Sequence, residues 1–185
     1  MTNSSASAVS ASAGSAAVLD RPQDMDLQQR VRQAHRSFPS GVTVVTACVD
    51  GAPVGLAVNA FSSVSMEPAM VLVCVNSSSQ SHQPLSGSSH IGINILGHDQ
   101  KQTALAFAKS GGDKFSGVNW ARGTYGVPVL EGASATFEIQ VKERIQAGTH
   151  TIFLGEVVDV TLTDKPSLVY SAGSFYDGAH LTDAH

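Results

Sequence analysis

Apolar and polar residues alternate strictly between positions 136 and 142. Phe137, Ile139 and Val141 are separated by Glu138, Gln140 and Lys142. A period of two indicates a β-strand with one face in a core and the other in water. A second β-rich run, 151–162, follows the Ala147-Gly148 turn, so the two segments predict an antiparallel hairpin.

Other short runs rich in Val, Ile and Thr are separated by turn residues. The predicted strands are 42–49, 54–65, 70–75, 91–96, 136–142, 151–162 and 167–171. Asp50-Gly51 is a hairpin signal between the first two strands, and Met66-Glu67-Pro68 ends the second. Seven strands joined mostly by hairpins predict a mainly β fold, an antiparallel barrel with a few peripheral helices rather than a parallel sheet.

Helical patterns are few and short. One helix is predicted to begin near Asp20 and Pro22 and to carry an apolar stripe made of Leu27, Val31, Ala34 and Phe38. Asp99 is the expected cap of another, and loop 76–90 has room for a short one. We therefore expect a folded domain over 21–176, a disordered Ser/Ala-rich tail over 1–20 and a polar C-terminal tail over 177–185.

Charge and hydropathy exclude several classes of function. The net charge is -4 and only 14% of residues are charged, which disfavours nucleic-acid binding because that requires a basic patch. The chain has no run of about 18 apolar residues and no basic, apolar leader, so we expect neither a membrane span nor a secretory signal. With just two cysteines, both expected as free thiols, a cytoplasmic location is predicted.

The common catalytic motifs are missing from the sequence. It has no G-x-G-x-x-G, no P-loop spacing, no H-E-x-x-H and no G-x-S-x-G, and its seven histidines are scattered. No metal site is expected. Three segments remain as candidates for ligand binding: 55–65, 76–82 and 147–151, together with Lys114 in the Gly-rich stretch 111–128. Each also fits a purely structural role as a packed strand, a solvated loop or a strand-capping histidine.

Taken in order, these segments resemble the flavin reductase-like family, which supplies the reductase components of two-component flavin monooxygenases. The matching motifs are 38–46, 54–65, 66–75, Gly111-Gly112-Asp113-Lys114-Phe115 and Gly148-Thr149-His150. The resemblance extends over about residues 27–176. It implies a split β-barrel that forms a homodimer, with flavin held near the subunit interface.

The resemblance also implies roles for particular residues. His150 is the catalytic candidate and lies beside the nicotinamide. The implied flavin contacts are Val58, Asn59, Ala60, Phe61, Ser62, Ser77, Ser78, Ser81, Lys114 and Phe115. Two departures from the family pattern matter: Thr149 replaces the usual acidic residue before the histidine, and the phosphate loop contains no Arg or Lys.

The implied function is reduction of free FMN or FAD by NAD(P)H, with hydride transfer to flavin N5, to supply a partner monooxygenase. NADH is favoured over NADPH because the sequence shows no arginine cluster for a 2′-phosphate. Two alternatives stay open: a non-catalytic flavin carrier or sensor, and an oxidase of the pyridoxamine-phosphate type on the same barrel.

Overall fold

Antiparallel hairpins organise most of the chain in the computed structural model, which describes residues 25–182. Its helices are α1 (Leu27–Arg36), α2 (His82–Gly87) and α3 (Lys101–Ala108). The strands are β1 (Ser40–Gly41), β2 (Thr43–Val49), β3 (Ala52–Val58), β4 (Phe61–Met66), β5 (Ala69–Asn76), β6 (His90–Ile95), β7 (Trp120–Arg122), β8 (Pro128–Leu130), β9 (Ala135–Ala147), β10 (His150–Leu162), β11 (Leu168–Ser171) and β12 (Ser174–Asp177).

The main sheet has seven strands in the order β3-β2-β6-β9-β10-β5-β4. Its two edges, β3 and β4, are joined by only two residues, Asn59 and Ala60. A flat seven-stranded sheet is about 29 Å wide, whereas that link spans at most about 11 Å. The sheet must therefore curl until its edges approach, and the predicted antiparallel split-barrel fold is confirmed.

The predicted single strand 54–65 is wrong, because the chain leaves one sheet edge at Val58 and joins the other at Phe61. At the crossing, the Phe61 N–H donates to the Asn59 carbonyl at 3.0 Å, and the Cys74 N–H donates to the Ala60 carbonyl at 3.0 Å. Leu56, Val58 and Phe61 all pack in or against the same core cluster, so the two strands share one core although they lie at opposite edges of the sheet. Which edge receives the chain depends on long-range pairing that the local pattern does not reveal.

Two predicted helix starts also differ from the structure. Asp26 caps α1, accepting a bond from the Gln29 N–H at 2.7 Å, and the expected start at Asp20 lies outside the described residues. Helix α3 begins after Gln100 without a side-chain cap. Asp99, its expected cap, instead forms an ion pair with Lys165 at 3.0 Å.

Hairpin β9–β10 is longer than the sequence predicted, with thirteen residues in each strand. The Gly-rich stretch 111–128 contributes β7 and the start of β8 to a small two-stranded sheet. The expected C-terminal tail contains the last residue of β12, Asp177, and a single 3₁₀ turn, Gly178–His180. The expected N-terminal tail, 1–20, and residues 183–185 lie outside the described part of the chain. Within that part, no helix is both long and apolar enough to cross a membrane.

A buried polar side chain ties the core strands together. Asn94 on β6 is fully buried, and its Nδ2 donates to the Val44 carbonyl at 3.1 Å. Its Oδ1 accepts from the Leu130 N–H at 2.8 Å and from the Thr136 hydroxyl at 2.9 Å. One amide thereby satisfies polar groups on β2, β8 and β9 that have little access to water.

We expect Asn94→Ala to lower the free energy of unfolding by about 3 kcal/mol, because it leaves the buried Leu130 N–H and Thr136 hydroxyl without a partner. Denaturant titration of both proteins measures the difference. The control is Thr161→Ala, an exposed substitution on β10, expected to change stability by less than about 0.5 kcal/mol. Equal stability of Asn94→Ala and the parent would contradict the assigned role.

Candidate functional site

Two adjoining cavities lie where β3 faces the segments that follow β5 and α3. The first, of about 380 Å³, is called the loop cavity, because the serine-rich loop 77–81 forms one wall and Leu56, Ala57 and Phe107 form another. The second, of about 230 Å³, is called the glycine cavity, because Gly111 and Gly112 line it. Gln80, Gly111 and Lys114 line both. The shared residues make the two cavities parts of one site.

Lys114 is the cation common to both cavities. Its Nζ donates to the Gly55 carbonyl at 3.3 Å and to the Phe107 carbonyl at 3.2 Å. An ammonium has three protons, so one remains for a ligand. Partial burial lowers the pKa of Lys114, because desolvation disfavours the charged form. The site therefore holds a positive charge fixed by two backbone carbonyls.

The serine hydroxyls of the loop do not play equal parts. The Ser78 hydroxyl donates to Asn76 Oδ1 at 2.8 Å, and the Ser81 hydroxyl donates to the Gly55 carbonyl at 2.8 Å. Each has therefore committed its single proton. Ser79 Oγ instead accepts from the Ser81 N–H at 3.3 Å. Its own proton is free for a ligand in the loop cavity.

The Gln80 N–H is a further donor at this place. It has no acceptor among the described residues, and Gln80 lines both cavities. With the Ser79 hydroxyl and the Lys114 ammonium, it forms a set of donors suited to an anionic group. Lys109, also on the wall of the loop cavity, adds a second positive charge.

The sequence marked segment 76–82, which contains Ser79 and Gln80, as a candidate, but the individual contacts expected there were Ser77, Ser78 and Ser81, and Lys109 was not expected at all. The identity of the free hydroxyl depends on acceptors distant in sequence, such as the Gly55 carbonyl, which no local pattern reveals. The sequence did offer a signal for Lys109, since it is a cation two residues before the Gly-rich stretch 111–128.

The predicted contacts on the 58–62 stretch are placed differently from those on the loop. None of them lines either cavity. Val58 is buried in the core, and the Phe61 ring packs against Phe137 with centroids 5.7 Å apart. Asn59 and Ala60 are exposed at the crossing between sheet edges, and the Ser62 hydroxyl donates to the Ser63 carbonyl at 3.0 Å. Their contact with flavin stays a prediction.

Phe115 supports the Lys114 segment from within the protein. Its N–H donates to Asp113 Oδ1 at 3.0 Å. Its ring meets those of Phe107 and Trp120 edge-on, with centroids 4.9 and 5.8 Å away. Phe115 lines the glycine cavity, and its packing positions the lysine before it.

His150 begins β10 beside the serine-rich loop. It lies opposite Asn76 in the β10–β5 register, and the Ser77 N–H donates to the Thr149 carbonyl at 2.9 Å. The Thr149 hydroxyl lies 3.0 Å from His150 Nδ1. The structure thus places the predicted catalytic histidine next to the loop that borders the loop cavity, with a threonine hydroxyl orienting its ring.

A larger cavity of about 650 Å³ lies at the other end of α2, where His90 and Tyr125 stack with centroids 4.9 Å apart. No lysine or arginine lines it, and Asp50 contributes an acidic group. Arg122 and Arg144 bond to the lining residues Cys48 and Ser88 without lining the cavity themselves, so this cavity is a weaker candidate for an anion than the joined pair. Within residues 25–182, no group of three or more His, Cys, Asp or Glu side chains is arranged to hold a metal ion.

Comparison with known proteins supports a family assignment. The model of the flavin reductase like domain matches residues 35–179. The chain belongs to the flavin reductase-like family. The structure of the Streptomyces globisporus NADH:FAD oxidoreductase SgcE6, in complex with NAD and FAD fragments, is 36% identical and superposes with a TM-score of 0.80 over 85% of this chain and 98% of that one.

Curated relatives of this flavin reductase-like protein include oxidoreductases and monooxygenase components. The FMN reductase (NADH) SmoA of Agrobacterium fabrum is 38% identical over 78% of this chain and 82% of that protein. The reductase component of a flavin-dependent trigonelline monooxygenase from Acinetobacter baylyi is 36% identical over 87% of this chain and 52% of that protein. The chain spans between 47% and 64% of the length of three of the curated relatives it matches.

We expect Lys114→Met to weaken FMN binding by about tenfold or more, because a hydrogen bond to a charged group contributes roughly 1.5–3 kcal/mol. Riboflavin, which has no phosphate, should lose less. Fluorescence titration with each flavin measures both dissociation constants. Lys101→Met removes the same charge from the exposed start of α3 and is expected to leave both constants unchanged.

The preference for FMN over riboflavin should also depend on pH. Because the pKa of Lys114 is lowered, its ammonium is lost at a lower pH than that of an ordinary lysine. The preference for FMN over riboflavin should therefore fall as pH rises, and Lys114→Met should lack that fall. If Lys114→Met keeps the parent's preference for FMN over riboflavin and its pH profile, Lys114 does not contact the flavin phosphate.

Proposed function

We propose that this chain is an NAD(P)H:flavin oxidoreductase that reduces free FMN or FAD. The observation that carries the proposal is the joined pair of cavities, in which Lys114, Ser79 and Gln80 offer donors to an anion beside an apolar wall. His150 lies on the hairpin next to that loop. The relatives named FMN reductase (NADH) and NADH-dependent FAD reductase support the same activity.

The residues present fit a flavin phosphate and its flat ring. Ligand cavities are usually about 300–1,000 Å³ and combine apolar walls with a few polar groups that fix the orientation of the ligand. Here Leu56, Ala57 and Phe107 supply the apolar wall of a 380 Å³ cavity, and the glycine cavity extends it. Lys114 would hold the phosphate together with the Ser79 hydroxyl and the Gln80 N–H.

Bound flavin would supply the redox chemistry, accepting at N5 the hydride that leaves nicotinamide C4. The task of the protein is then to bind and orient two flat rings, and such positioning contributes up to roughly 7–11 kcal/mol to lowering a barrier. Leu56 and Phe107 exclude water from one side of the site. No proton transfer by a side chain is needed for the hydride step, which agrees with a site whose polar groups serve mainly as donors to an anion.

NADH is the proposed electron donor. Neither cavity is lined by an arginine that would grip a 2′-phosphate in a bidentate manner. The His150 imidazole would donate one hydrogen bond to the nicotinamide carboxamide or a ribose hydroxyl, while the Thr149 hydroxyl lies 3.0 Å from its Nδ1.

We further propose that the recipient of reduced flavin is a partner monooxygenase, because several relatives are reductase components of such systems. A homodimer is also proposed. Helix α1 buries none of its residues within the chain, and its apolar stripe is exposed, with Leu27 at 66% and Val31 at 43%. A second copy would cover this stripe.

We expect flavin to behave as a substrate rather than as a fixed group, because no arginine lines either cavity. Protein dialysed exhaustively should lose most flavin and should then oxidise NADH steadily only after free FMN or FAD is added. The rate of NADH oxidation, measured with and without added flavin, tests this dependence. Binding of flavin without NADH turnover would instead favour a carrier or sensor, and flavin retained through dialysis would contradict the substrate role.

His150→Ala should raise the KM for NADH about two- to sixfold and change kcat less, because a net hydrogen bond contributes roughly 0.5–1.5 kcal/mol and a threonine orients the ring less firmly than a carboxylate. Flavin affinity should hardly change. NADH saturation and the melting temperature are measured on the same preparation. Unchanged saturation kinetics with a lowered melting temperature would reduce His150 to a structural residue.

A further inference from the structure

The serine-rich loop is attached at both ends to hairpin β9–β10. At its start, the Ser77 N–H donates to the Thr149 carbonyl at 2.9 Å, and the Ser77 hydroxyl oxygen lies 3.3 Å from Gln146 Nε2. At its end, His82 Nε2 lies 2.8 Å from Thr151 Oγ1. Gln146 and Thr151 face each other across the hairpin, so one cross-strand pair holds both ends of the loop.

Counting protons gives these bonds a direction. The Thr151 hydroxyl donates its single proton to Gln146 Oε1 at 3.1 Å, so it must accept from His82 Nε2–H. Gln146 Nε2 then donates to Ser77 Oγ and to the Gly148 carbonyl at 2.8 Å. These hydrogen bonds run in one direction, from His82 through Thr151 and Gln146 to the Ser77 hydroxyl oxygen, which accepts.

The same hydrogen bonds connect the two parts of the proposed site, the serine-rich loop and the turn that carries His150. Gln146 bonds at once to the loop that borders the loop cavity, through Ser77, and to the turn that carries His150, through Gly148. Gln146 itself is exposed, whereas Thr151 is buried and the His82 ring meets Phe153 edge-on with centroids 6.1 Å apart. His82 and Thr151 form the buried end of this series of hydrogen bonds, and Gln146 forms the exposed end that contacts the loop.

We propose that Gln146 is a positioning residue that keeps the serine-rich loop in the shape that receives the flavin phosphate. The inference rests on the proposed function, because it takes the anion in the loop cavity to be that phosphate. Gln146 lines neither cavity and acts through Ser77. Once its two donated bonds are lost, Ser79 and Gln80 are less often in the geometry that binds the anion.

The test compares FMN with riboflavin, which differ only in the phosphate. We expect Gln146→Ala to raise the dissociation constant for FMN about three- to tenfold, within the range of one net hydrogen bond, and to leave that for riboflavin within about twofold. Gln140→Ala removes the same side chain from an exposed position on the same strand and should change neither constant. The exposed position of Gln146 predicts a nearly unchanged melting temperature.

A second variant tests the same chain from its buried end. Thr151→Val keeps the shape of the side chain but removes the hydroxyl between His82 and Gln146. It should raise the ratio of the FMN to the riboflavin dissociation constant, as Gln146→Ala does. The double variant should raise that ratio little further, because the two residues belong to one series of hydrogen bonds.

The possible outcomes distinguish a failure of this inference from a failure of the proposed function. A parent protein that reduces flavins but binds FMN no better than riboflavin would overturn the phosphate role of the loop and, with it, the role of Gln146, while leaving the reductase activity standing. A parent that prefers FMN and a Gln146→Ala variant that keeps the full preference would overturn the inference alone. Equal losses for both flavins would also overturn it, since they would indicate a general structural role.

Discussion

The two-residue link at Asn59 and Ala60 determines the geometry on which the rest of the molecule depends. Because it joins opposite edges of a seven-stranded sheet, it brings β3 close to the end of β5. The loop cavity lies between these two strands, with Leu56 and Ala57 on one side and Asn76 on the other. The candidate site is therefore a product of sheet closure rather than of any single segment.

Gly55 is the point where the closed sheet and the site meet. Its carbonyl accepts from both the Ser81 hydroxyl and Lys114 Nζ, so it fixes the loop and the cation together. A Cβ at this position would lie 2.9 Å from the Val45 carbonyl oxygen and 3.0 Å from the Phe107 ring. Such contacts are too short for a side chain, so the close approach of these elements requires a glycine.

Local periodicity in the sequence predicted most strands, and the resemblance of ordered motifs indicated the family, but neither predicted the connections that create the site. The alternation at 136–142 is a property of neighbouring residues, and it correctly placed the core of β9. The break at Asn59 and Ala60 depends on which sheet edge receives the chain, which is a long-range property. The choice of Ser79 over Ser81 as a free donor likewise depends on the Gly55 carbonyl, which is distant in sequence and accepts from the Ser81 hydroxyl.

Among the described residues, lysines are the only basic ones that line the two cavities, and this affects how long a flavin stays bound. A flavin held with micromolar affinity, at an association rate of about 10⁶–10⁷ M⁻¹s⁻¹, would leave within roughly a tenth of a second to a second. Residence is then comparable to one catalytic cycle of an ordinary enzyme. In the proposed function, a product released this quickly would be able to reach its acceptor by diffusion. The reductase and the acceptor would then need no matched surface.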